Sequence, residues 1–220
     1  MDTATQDRHA LYLLIALVTF LVLSAFVTHD RQGEVVVVVA MCAALVAAAL
    51  ELADRPAMRW PGILMASTSG LFLLLCIFYP ARPVFVANWA VLMSTFGFIA
   101  ASLFLYLGRP GRITNGRLYA SVSLYLMIGT SYYALFNLME TLNPGSFVEN
   151  GLPAGTPVPR HSLLYFSLVT LTTLGYGDIV PASHPARIFA ALESVTGVLY
   201  IAITVARLVA AYQVGEDGRN

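Results

Sequence analysis

Uncharged, apolar runs alternate with short polar breaks along the whole chain. The long runs cover residues 10–28, 35–50, 60–81, 83–108 and 118–139, and a sixth, 185–212, carries Glu193 and Arg207 inside it. About 20 apolar residues cross a bilayer core, with roughly 17–25 tolerated. Four of the first five runs meet that length, and 35–50 does so if Glu51 and Leu52 extend it at headgroup level. The five consecutive valines at 35–39 suggest a strand in water. In lipid they predict a helix, because a lone strand leaves its backbone groups unpaired. Residues 162–172 form a further uncharged segment, too short to span and long enough for a re-entrant helix capped by Ser162. Residues 140–160, rich in Pro, Gly and Asn with no apolar period, predict a loop. The expected fold is an all-α membrane protein with six transmembrane helices plus one re-entrant segment.

Composition sharpens this picture. Hydrophobic residues are 58% of the chain and charged residues 11%, against about 25% charged in an ordinary soluble domain. The net charge is zero and no basic cluster occurs, so nucleic acid is not an expected partner. All twelve basic residues are arginine. With the N-terminus cytoplasmic, Arg8, Arg55, Arg59, Arg109, Arg112, Arg117, Arg207 and Arg219 lie inside and Arg31, Arg82, Arg160 and Arg187 outside, which satisfies the positive-inside rule. Both termini are then cytoplasmic. The first run is longer than a signal-peptide core and lacks a small-residue cleavage site. Cys42 and Cys76 lie in apolar runs without metal-ligand spacing. His9, His29, His161 and His184 form no catalytic constellation, so an enzyme is not expected. The tails are short and leave no room for a cytoplasmic ligand-sensing domain.

The chemistry concentrates in Thr170-Leu171-Thr172-Thr173-Leu174-Gly175-Tyr176-Gly177-Asp178. Two glycines two residues apart permit backbone angles that a side chain forbids, and rings of backbone carbonyls can replace the hydration shell of a potassium ion. This run resembles the selectivity filter of the potassium channels, of the bacterial six-span type without a charged voltage sensor, over about residues 118–212. The resemblance implies potassium sites at Thr173, Leu174, Gly175 and Tyr176, with Gly177 completing the filter. One filter per chain, with no internal repeat, implies a homotetramer in membrane lipid that conducts passively and needs no cofactor beyond the permeant ion. The negative end of the re-entrant helix would attract the cation. Leu174 stands where the family usually has Val, behind the carbonyls. Asp178 and Tyr165 are the expected braces of the outer mouth. Tyr165 and Phe166 occupy the positions of a family Trp pair, and Phe166 offers no hydrogen bond, which leaves the outer end less rigid. Gly197 matches the family's hinge glycine, or else serves close packing against span 5.

From Gly197 onward, Val198, Ile201, Val205 and Val209 share one stripe at helical period, an apolar lining and gate that can close by dewetting. Arg207 lies opposite it and reaches the inner headgroups. Glu193 is an acid inside a span, a functional candidate, read here as a brace behind the filter. Residues 83–108 hold no charge, so this helix supplies no gating charges. The expected organisation is a four-span domain over 1–117, a pore domain over 118–212 and a tail over 213–220. Weakly selective cation channels and coupled potassium transporters are the alternatives. The transporters repeat a degraded filter several times in one chain, whereas this chain has one intact copy.

Overall fold

The computed structural model describes residues 3–26, 31–53, 56–108, 114–153 and 156–217. Arg55, Arg109, Arg112, Arg219, His29 and the end of the first run at Thr28 lie outside them. In chain order the elements are α1 (Thr3–Phe26), α2 (Arg31–Ala53), α3 (Pro56–Phe78), α4 (Arg82–Leu107), α5 (Asn115–Leu142), β1 (Phe147–Glu149), α6 (Arg160–Leu171), β2 (Ile179–Pro181) and α7 (His184–Asp217). Among the described residues six helices are long and apolar enough to cross a membrane: α1, α2, α3, α4, α5 and α7. The 12 residues of α6 reach about 18 Å at 1.5 Å per residue, short of a bilayer core. The valine run lies within α2, as the backbone argument requires.

Packing faces recur at helical period. On α4, Trp89, Leu92, Phe96, Ile99 and Leu103 are buried, and on α1 Leu13, Leu17 and Phe20 are. Between them Ile15, Val18, Val22, Phe104 and Leu105 stay exposed. Lipid tails are as apolar as the core, so hydrophobicity alone does not decide which face turns inward. The second candidate span runs through Leu52, as the extension by Glu51 and Leu52 expects, and both residues are buried against the protein.

Helices α1 to α5 form a closed ring: α1 packs on α2, α2 on α3, α3 on α4, α4 on α5, and α5 back on α1. Two ties fix α5 in that ring. Asp7 Oδ1 accepts from the Gly116 backbone N–H at 3.0 Å, alongside the Thr114 N-cap, and so satisfies donors that a helix start leaves free. At the other end Arg82 donates to the Thr141 and Leu142 carbonyls at 3.2 and 2.8 Å. A cation at a helix C-terminus is the favoured sign. The second face of α5 carries α6 and α7.

The 140–160 segment differs from the expected loop. Helix α5 continues to Leu142, and β1 pairs antiparallel with β2, Phe147 opposite Pro181, Val148 opposite Val180 and Glu149 opposite Ile179. The three-residue strand has no period of its own, since its partner lies beyond the re-entrant helix. Glu140 is buried and accepts from Gly145 N–H at 2.9 Å and Phe147 N–H at 3.1 Å, fixing the turn into β1.

Candidate functional site

Helix α6 starts one turn earlier than expected around Ser162. Pro159, extended at φ −58° and ψ 146°, is its N-cap without a side-chain cap bond, and Ser162 is a buried residue of the first turn. Proline before a helix sets the entry angle without a hydroxyl. The far end is closed by Thr172, whose Oγ1 donates to Leu168 O at 2.8 Å, while the Thr173 and Leu174 amides donate to Thr170 O and Val169 O. These bonds turn the chain out of the helix and into the 173–178 run.

That run has an unusual backbone. Thr173, Gly175 and Gly177 have φ of +59°, +59° and +77°. In a strand of uniform φ, successive carbonyls point to opposite sides. Reversing the sign of φ at every second residue removes that alternation and turns them to one side. Glycine takes such angles at no steric cost. Thr173 is the one non-glycine residue with positive φ among the described residues, a true outlier for a β-branched side chain and a strain of about 1–2 kcal/mol. The run is exposed along 172–178, and an added Cβ at Gly175 or Gly177 meets nothing within 4 Å. Backbone angle, not space, excludes side chains there.

The Asp178 end of the run is tied on two sides. Tyr165 Oη donates to Asp178 Oδ2 at 2.8 Å, and the Tyr165 ring stacks on Tyr176 at 6.5 Å and 4°. Asp178 Oδ1 accepts from the Ile179 amide at 3.1 Å. From the segment preceding α6, Asn150 Nδ2 donates to Gly177 O at 3.2 Å, and its amide donates to Asp178 O at 2.8 Å. The structure thus brings Tyr165 and Asp178 together as expected and adds Asn150, which sequence reasoning missed. Phe166 makes no polar bond but is no passive substitute. It packs with Phe136 and Phe147, all three centroid distances lying between 5.2 and 5.3 Å. This buried aromatic triad joins α5, β1 and α6.

Behind the Thr173 end, Gly197 serves a close approach. A Cβ there would clash with the Leu171 carbonyl of α6, so the neighbour is the re-entrant helix rather than span 5, and α7 runs unbroken through the position. Ser194 Oγ donates to Thr170 O at 3.0 Å and Tyr125 Oη to Leu171 O at 3.4 Å. Val198, Ile201 and Val205 are about half exposed on the single chain, as are Val195 and Leu199, so α7 offers apolar surface around much of its circumference. The Val209 side chain lies outside the described residues. Arg207 is exposed, with its guanidinium beside Gly108 at the end of α4. Arg117 donates to the carbonyls of Tyr106 and Leu107 at 3.4 and 3.3 Å, closing the same helix end.

Residues 120–214 match a family model described as an ion channel. Curated relatives include the two pore potassium channel c of Oryza sativa subsp. japonica, 37% identical over 37% of this chain and 15% of its own length. The voltage-gated potassium channel Kch of Escherichia coli (strain K12) is 33% identical over 40% of this chain and 18% of its own. The A-type voltage-gated potassium channel KCND3 of Rattus norvegicus is 36% identical over 30% and 10%. The chain therefore spans less than a fifth of the length of these relatives. No solved structure matches it. With six helices of membrane-crossing length and a match to an ion-channel family model over residues 120–214, the chain is an integral membrane protein.

Proposed function

Starting from the match of residues 120–214 to an ion-channel family model, we propose that the chain forms a potassium-selective channel in which four copies surround one axis. The observation that carries this reading is the left-handed backbone at Thr173, Gly175 and Gly177, at the end of a helix too short to span and ahead of a tethered Asp178. Carbonyls of Thr173, Leu174, Gly175 and Tyr176, with Gly177 at the mouth, are the ion ligands. One strand of carbonyls cannot enclose an ion, and four can, since each replaces part of a hydration shell. Four α6 C-termini then direct partial negative charge toward the ion entering at Thr173.

Asp178 and Tyr165 brace the outer mouth, and Val198, Ile201, Val205 and Val209 line the inner path. The arginine distribution sets both termini on the cytoplasmic side, the positive-inside arrangement. That places Asp178 outside. The division belonging to this reading is a four-span domain over 1–117, a pore domain over 118–212 and a tail over 213–220, with α5 packed on both units and α7 continuing to Asp217. Nucleic acid and organic cofactors have no part in this mechanism. Rubidium uptake by liposomes containing the purified protein, driven by an outward potassium gradient, tests the reading. Uptake blocked by barium and absent for sodium is the expected result, and equal uptake of both cations refutes it. Native mass measurement of the same preparation is expected to give four copies.

A further inference from the structure

Glu193 sits on α7, one turn before Gly197, and its side chain is wholly buried. Its Oε1 lies 2.5 Å from Ser167 Oγ on α6. Ser167, equally buried, lies 2.7 Å from the Gly129 carbonyl on α5. A serine hydroxyl has one proton to donate. Here it faces a backbone carbonyl, which has none, and a carboxyl oxygen. With an ionised carboxylate the two contacts share one proton, and one of them becomes a bare oxygen–oxygen approach. A proton on the carboxyl satisfies both.

From this geometry we propose that Glu193 is a positioning residue of the pore that works as a neutral carboxylic acid. It donates through Oε1 to Ser167 Oγ, and Ser167 donates in turn to Gly129 O. The chain of two hydrogen bonds clasps α7, α6 and α5 together beside the point where α6 gives way to Thr172 and Thr173. Among the described residues no arginine pairs with Glu193, and its Oε2 is buried without a partner. A bare carbonyl oxygen in that place costs far less than a bare ionised one. Tyr125 on α5, the other titratable side chain facing this turn, reaches the Leu171 carbonyl. The clasp sits where the backbones come closest. A Cβ at Gly129 would touch Leu168 and Leu171 at 3.3 Å, and Gly197 abuts the Leu171 carbonyl. Ser194 and Tyr125 hold the Thr170 and Leu171 carbonyls on the same turn. Loosening the clasp therefore shifts the inner end of the 173–177 run.

The flux readout rests on the channel reading, whereas the proton itself does not. Infrared difference spectra of the full-length protein in lipid, wild type minus Glu193→Gln at neutral pH, are expected to contain a protonated-carboxyl C=O band that shifts in D2O. Absence of that band overturns the proposal. In parallel, Glu193→Gln, whose amide donates the same bond, is expected to keep rubidium flux within about twofold, while Ser167→Ala and Glu193→Ala lower it roughly tenfold. A Gln variant as impaired as the Ala variant also overturns it. If the protein conducts nothing, the channel reading fails alone, and the infrared band and the melting order (wild type and Gln above Ala) still decide the clasp.

Discussion

The two halves of the chain use polar side chains in different ways. In α1 to α4 such groups mostly turn back on their own helix or reach one neighbour. Ser102 donates to Phe98 O, and Thr95 donates to Val91 O while meeting Ser69 of α3 at 2.8 Å. From Gly129 to Ser194 they cross between elements far apart in sequence. Asn150 holds Gly177, Tyr165 holds Asp178, Ser167 joins Gly129 to Glu193, and Ser194 holds Thr170. The first region is a packed ring whose geometry is set by which apolar residues meet. The second is a backbone held in an unfavourable conformation by bonds from several directions, as a strained site requires.

The contrast breaks most visibly at the glycines. Ala at Gly175 or Gly177 meets no atom but must take a positive φ, at a cost of about 1–2 kcal/mol per residue, repeated in each copy of the proposed tetramer. We expect both variants to assemble yet lose selective flux, measured as rubidium uptake in liposomes. Retained selectivity would mean that backbone conformation does not make the site. Next in size is Phe166→Ala, which opens the Phe136–Phe147–Phe166 triad and is expected to cost about 3–5 kcal/mol in thermal or denaturant unfolding. Leu105→Ala, on an exposed face of α4, is expected to cost under about 0.5 kcal/mol. Similar losses at both sites would erase the difference between the regions.

Smaller effects follow at single bonds. Tyr165→Phe removes the hydroxyl from Asp178 and keeps the ring on Tyr176, and Asn150→Ala frees Gly177 O. Each is expected to speed loss of current during sustained opening by about fivefold, the worth of roughly one hydrogen bond, with potassium selectivity intact in single-channel records. The smallest effect concerns voltage. Helix α4 has no charge between Arg82 and its last residue, and Arg117 is engaged in closing its end. Replacing Arg109, Arg112 and Arg117 by Gln is expected to leave the slope of any conductance–voltage curve unchanged. A steep slope lost in that triple variant would assign the ring a sensing role.

Hydropathy made the six spans legible because lipid enforces helices, and the 173–178 run was legible because its glycines mark backbone angles directly. The Tyr165–Asp178 pair followed from position within that motif. The β1–β2 pair, the Phe triad and Asn150 were not legible. Each depends on residues about 20 to 40 apart meeting across the re-entrant helix, and no local period records that. Thr173 carries no sign in sequence that a β-branched residue takes a left-handed angle. Glu193 could be read as a brace from burial in a span, but its partner Ser167, 26 residues earlier, is set by the crossing of α6 and α7. Gly197 was legible as a special position, although its neighbour is α6.

The central claim is that carbonyls of residues 173–177 select potassium. The most direct measurement is the reversal potential of purified protein in planar bilayers, with potassium on one side and sodium on the other. The account predicts a reversal potential near the potassium equilibrium value, lost when Gly177 becomes Ala. A reversal potential near zero in the wild type, with potassium and sodium passing alike, would contradict it.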